Sequence, residues 1–105
     1  MSEFFSQNGS ILIKPSLSVT ECNGKDELTI DIYHVDTGYL YGIRAKLPPR
    51  CYQYQPHPTD QPLQTDIEAK HKARGTFLAW CDQNNLKKRG ICFASSFDQL
   101  ELFPV

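Results

Sequence analysis

Two turn signals, Asn23-Gly24 and Asp36-Thr37-Gly38, put three alternating stretches of this chain into one register. Asn-Gly is the strongest short hairpin signal, because both residues tolerate positive φ in a type I′ turn. On that turn Cys22 faces Lys25, Val19 faces Leu28 and Leu17 faces Ile30. The first strand is expected to carry Ile11, Ile13, Pro15, Leu17 and Val19 on one side, alternating with polar residues. Pro15 has no N–H for a ladder bond, so this strand belongs at an edge. The second strand, about 26–35, sets Leu28, Ile30 and Ile32 on the same side. Either two-residue placement of the next turn sets Ile30 and Ile32 opposite residues among Tyr41, Ile43 and Ala45 on a third strand, about 39–47. A one-residue slip would turn the whole set outward. Two independent turns thus agree on one apolar face.

Pro48-Pro49 ends the third strand, and residues 50–55 can form a short fourth. Residues 56–62, with three prolines among seven residues, read as a connecting loop. Thr65-Asp66-Ile67-Glu68 fits a capping box, in which the Thr65 hydroxyl takes the Glu68 N–H. The helix it starts should run to about Gln83, with Asn84-Asn85 as its stop. Ile67, Phe77, Leu78 and Cys81 form its apolar stripe, with Ala73 and Trp80 on the flank. Lys87-Lys88-Arg89-Gly90 reads as a basic turn and Ile91-Cys92-Phe93-Ala94 as a short strand. Ser95 or Ser96 could cap a last turn, with Leu102 and Phe103 tucked into the core. The expected fold class is α+β: an antiparallel β-meander of three to five strands, packed on one face by a single long helix in the C-terminal half. It forms one domain over 1–105, with 1–10 a loosely ordered start.

A chain of 105 residues is one domain by size, and it can bury roughly 65% of its unfolded surface in a single core. With 11 basic and 12 acidic residues the net charge is −1, so no global field draws the protein to nucleic acid or an acidic membrane. No apolar run approaches the roughly 18 residues of a membrane span. The start, Met1-Ser2-Glu3-Phe4-Phe5, lacks the basic and apolar regions of a secretory signal, so a cytoplasmic location is expected. The cysteines at 22, 51, 81 and 92 have no zinc-site spacing and are expected to be reduced.

The polar face of the meander carries the leading binding hypothesis. Tyr33, Arg44 and Lys46 place a ring and two cations there, and Arg50, Tyr52 and Tyr54 extend it if the fourth strand pairs beside the third. Rings interleaved with cations suit single-stranded nucleic acid, since any base can stack while cations track phosphates. The bland alternative is a solvated face on which Arg44 pairs with Thr29 or Asp31 and Lys46 with Glu27 or Thr29. Tyr39 and Tyr41 should point to the core side. A second group, Lys70, Arg74, Lys87, Lys88 and Arg89, could form an anion-binding strip or a solvated basic surface. A third reading is a metal-dependent nuclease using Asp66, Glu68 and Lys70. Those residues fall in the first turns of a helix, where positions two apart point about 200° from each other. No histidine lies in a metal-ligand pattern, and no phosphate loop or dinucleotide fingerprint is present. The expectation is therefore a non-catalytic protein without metal or cofactor. Its partner would be single-stranded nucleic acid, or alternatively a protein or a second copy of itself, and no membrane.

Overall fold

The structure, a computed structural model, describes residues 4–93. Four antiparallel strands lie in chain order: β1 (Leu17–Asn23), β2 (Asp26–Val35), β3 (Gly38–Leu47) and β4 (Arg50–Tyr54). The helix α1 (Asp66–Gln83) follows, and residues 87–93 form a second short helix, α2. The protein is thus α+β, with β1 at one edge of the sheet and β4 at the other.

The first hairpin differs from its expected register by two residues. Asn23 pairs with Asp26, Val19 with Ile30 and Leu17 with Ile32, so the turn residues are Gly24 and Lys25. Positive φ occurs only at Gly24 (65°), the first central position, which is the type II′ pattern and not I′. A two-residue shift leaves every side chain on its face, which is why the apolar face survives it. At the second turn Val35 pairs with Gly38, placing Ile30 opposite Ile43 and Ile32 opposite Tyr41 as expected. Strand β1 begins at Leu17, six residues later than expected. Ile11 pairs instead with Phe5 in an isolated bridge.

The helix is capped as its sequence indicates. Thr65 is the N-cap, and its Oγ1 accepts from the Glu68 N–H at 3.0 Å. The buried stripe is Ala69, Ala73, Phe77 and Cys81, a strict four-residue repeat. Ile67 lies off it and is 52% exposed, which corrects its expected place in the core. These four residues join Leu28, Ile30, Ile32, Ile43, Ala45 and Leu47 in one cluster, together with Leu86 and Phe93. Small residues in the first half of the stripe let the helix lie close to the sheet. The Phe77 ring meets Phe93 edge-on at 6.0 Å.

A further expectation is overturned. Residues 91–93 are helical, not a strand, and 87–90 begin that helix. Helical geometry over 87–93 places Phe93 in the core while Ile91 remains exposed, whereas a strand would put these two residues on one face. Part of the segment before β1 also packs on the sheet. Phe5 packs with Tyr33, Val35 and Leu40 on the sheet face away from α1, with Phe4, Ile11 and Ile13 beside it. Val35 and Leu40 are apolar residues on a face otherwise polar, and this segment covers them. The expected last turn near 95–100 and the tucking of Leu102 and Phe103 fall outside the described residues.

Candidate functional site

The structure divides the six-residue platform between the two faces of the sheet. Strand β4 pairs with β3 through Leu47↔Arg50, Ala45↔Tyr52 and Ile43↔Tyr54. Arg50, Tyr52 and Tyr54 therefore share the face of Leu47, Ala45 and Ile43, which is the face that carries the α1 core. Tyr33, Arg44 and Lys46 lie on the opposite, outer face. The cause is the two-residue Pro48-Pro49 link, whose peptide bond is cis: residues flanking a two-residue hairpin loop face each other and share a side.

On the outer face Arg44 is held, not free. Its Nε donates to Asp31 Oδ2 and its Nη2 to Asp31 Oδ1, both at 3.1 Å. Asp31 is 5% exposed and also accepts from the Ser18 hydroxyl at 2.5 Å. The Asp31 carboxylate raises the Arg44 pKa further. Tyr33 is 8% exposed and offers no open ring for stacking. Lys46 is exposed between Glu27 and Cys51 in the ladder. The Arg44–Asp31 pairing foreseen for a plain sheet face is the one observed.

The aromatic residues instead gather on the other side, along the seam between α1 and β4. Tyr41 and Tyr54 lie 5.3 Å apart, and Tyr52 stacks on Trp80 at 5.2 Å. Tyr39 and Tyr41 point to this side, as expected. The positions 72, 76 and 80 recur every four residues and form one flank of α1. There Thr76 Oγ1 bonds the Tyr41 hydroxyl at 3.0 Å, while Lys72 reaches the cleft between the tyrosines and the loop. That cleft has a volume of about 290 Å³ and is lined by Tyr39, Tyr41, Tyr54, Asp60, Leu63 and Lys72, among others. Its far wall is fixed by the proline-rich loop. Leu63 exchanges two backbone bonds of 2.8 Å with Tyr39, and Asp60 Oδ2 accepts from the His57 N–H at 2.9 Å and from the Tyr54 hydroxyl at 2.5 Å. Burial, then the Asp60 carboxylate, push the Tyr54 pKa well up.

The basic strip is also divided. Lys70 and Arg74 lie in the first half of α1, and Lys87, Lys88 and Arg89 follow its C-terminal end, roughly 20 Å further along. Arg74 Nη2 donates to Nδ1 of His71 at 2.7 Å. Arg89 is committed to the fold: it donates through Nε (2.8 Å) and Nη2 to Asp26, and through Nη2 to the Pro48 carbonyl (3.1 Å). That guanidinium holds the Asp26 carboxyl below its ordinary range. Asp66, Glu68 and Lys70 occupy the first turns of α1, and among the described residues no three His, Cys, Asp or Glu side chains are grouped to hold a metal ion. All four cysteines are free, and burial pushes the Cys81 thiol up to about 11. Among the described residues no helix is long and apolar enough to cross a membrane.

The cleft residues Asp60, Leu63 and Trp80 were not among the expected binding residues. The two-residue proline link could have revealed the side on which Tyr52 and Tyr54 fall. The placement of the loop at 56–63 has no local signal. No protein-family model matches the chain, and neither a curated protein nor a solved structure does.

Proposed function

We propose that this is a small non-catalytic binding protein whose working surface is the aromatic seam between α1 and β4. Its ligand class is single-stranded nucleic acid, one base entering the tyrosine-walled cleft and the next stacking near Tyr52. The observation that carries this is the row of half-buried rings Tyr39, Tyr41, Tyr54, Tyr52 and Trp80 along one flank. Lys72 in the cleft and the exposed Arg50 at the other end of the row supply charge for the backbone. Stacking contributes roughly 1–3 kcal/mol per base and tolerates any sequence. With two cations involved, the logarithm of the affinity should fall with that of salt at a slope of only about −1.4. Fluorescence anisotropy of labelled single- and double-stranded oligonucleotides, at low salt and at roughly 200 mM, tests this. Single-strand preference with a shallow salt slope supports it. No binding at low salt removes it.

A second reading is a protein-interaction or homo-oligomeric role. It is favoured by the sheet order, which leaves the outer edges of β1 and β4 without a strand partner among the described residues. Such edges are templates for an added strand. Concentration-dependent mass by light scattering would support it.

A further inference from the structure

The outer face of the sheet holds a second concavity, unrelated to the aromatic seam. It has a volume of about 210 Å³ and is lined by Pro15, Asp31, Tyr33, Gly42, Arg44 and Gln53, among others. Its floor is a glycine. A Cβ at Gly42 would stand 3.2 Å from the Tyr54 carbonyl oxygen and 3.4 Å from the Tyr33 ring, so any side chain there would fill the hollow. Tyr33 is more than nine-tenths buried, yet its hydroxyl makes no hydrogen bond with any described residue. Buried polar groups are usually hydrogen-bonded, so a hydroxyl with no partner among the described residues, on a residue lining this hollow, is open to a ligand there.

Arg44 supplies the second half of the argument. Asp31 occupies the Nε and Nη2 side of its guanidinium, bonding both nitrogens. The other fork, formed by Nη1 and the second Nη2 hydrogen, has no partner among the described residues, and the side chain is 59% exposed. Asp31 fixes the plane of the guanidinium, so the open fork is pre-oriented and costs little side-chain entropy to use. Two parallel N–H groups at that spacing match the two oxygens of a carboxylate. The Asp31 charge, fixed beside the site, selects against a dianion. A single negative charge joining the Arg44–Asp31 pair leaves the group at −1, while a doubly charged phosphate would leave it at −2.

We propose that the hollow over Gly42 binds a small monocarboxylate, held bidentately by the open fork of Arg44 and by a hydrogen bond from the Tyr33 hydroxyl. The site is built by residues of three strands and by Pro15, so it exists only in the folded chain. Gln53, at its rim, can give or take a further bond.

The test is a titration of the full ¹⁵N-labelled chain, followed by the backbone amide of Gly42 and the Nε–H of Arg44 in NMR spectra. The probes are sodium acetate and sodium benzoate, with sodium chloride and sodium phosphate at matched ionic strength. Saturable shifts at both signals with either carboxylate, absent with chloride, support the proposal. Tyr33→Phe removes an oxygen that has no partner among the described residues and should fold as well as the parent, with acetate or benzoate binding weakened roughly tenfold or more, as expected for one bond to a charged group. Gly42→Ala should abolish the shifts by filling the floor. Absence of saturable carboxylate shifts, phosphate binding as tight as carboxylate, or unchanged binding in Tyr33→Phe would each overturn it.

Discussion

The ring of Tyr52, which faces Ala45 at the edge of the sheet, lies nearly parallel to the indole of Trp80, with centroids 5.2 Å apart and an interplanar angle of 21°. Trp80 is the only tryptophan in the chain, so its emission reports the seam directly. An oligonucleotide that stacks there should quench it. Tyr52→Ala should weaken single-strand affinity by about 5- to 150-fold, the equivalent of the roughly 1–3 kcal/mol of one stacked base. Lys72→Ala should cost less and flatten the salt dependence. Unchanged affinity in folded Tyr52→Ala protein would place the ligand elsewhere.

The meander was legible in the sequence because its information is local. Alternation fixes which residues share a face, and a turn error of two residues, as at Gly24-Lys25, does not disturb that parity. The capping box at Thr65 was equally local. Features formed by distant partners were not legible. Phe5 finds Val35 and Leu40, Arg89 finds Asp26 across 63 positions, and Leu63 finds Tyr39, each through packing that no short pattern records. Tyr52 and Tyr54 fall on the α1 side of the sheet and not beside Tyr33 and Arg44 for a smaller reason, the side on which one short strand leaves a proline link.

Phe77 is fully buried at the centre of the α1 stripe, between the sheet and Phe93. Phe77→Ala should cost about 3–5 kcal/mol, the transfer term plus the cavity left among residues that cannot close over it. Ile67→Ala on the same helix should change stability by no more than about 0.5 kcal/mol, because its side chain lies largely in water. Urea denaturation of the two variants checks the contrast. Equal losses would mean that the stripe is not centred on Ala69, Ala73, Phe77 and Cys81.

The Arg89–Asp26 pair fastens α2 to the start of β2 and predicts an acid limit. The folded pKa of Asp26 is lowered from its ordinary 3.8, chiefly by its hydrogen bonds to Arg89. A carboxyl with a depressed folded pKa contributes stability above its unfolded value, and the contribution is lost as pH falls through the folded one. Asp26→Asn cannot titrate. Its melting temperature should therefore lie below that of the parent at neutral pH, and the gap should narrow as pH falls below the ordinary 3.8. A gap that does not narrow with acid would assign the loss to packing.

Tyr54 sets the opposite limit. Its hydroxyl donates to the Asp60 carboxylate at 2.5 Å, and partial burial together with that carboxylate holds its folded pKa above the ordinary 10.0. A group with a raised folded pKa contributes stability that is fully present below the unfolded value, and loses it as pH climbs through the folded one. Above pH 10.0 the unfolded chain releases the Tyr54 proton more readily than the folded chain, so alkali favours unfolding. Tyr33 and Tyr52, also raised by burial, add to the same decline. Tyr54→Phe removes the bond to Asp60 and should cost about 1 kcal/mol near neutrality. It should also flatten, without abolishing, the fall in melting temperature above pH 10.0. Thermal melts in steps from pH 8 to about 11.5 distinguish the cases. A decline as steep in Tyr54→Phe as in the parent would show that the Tyr54–Asp60 bond does not seal the wall of the cleft.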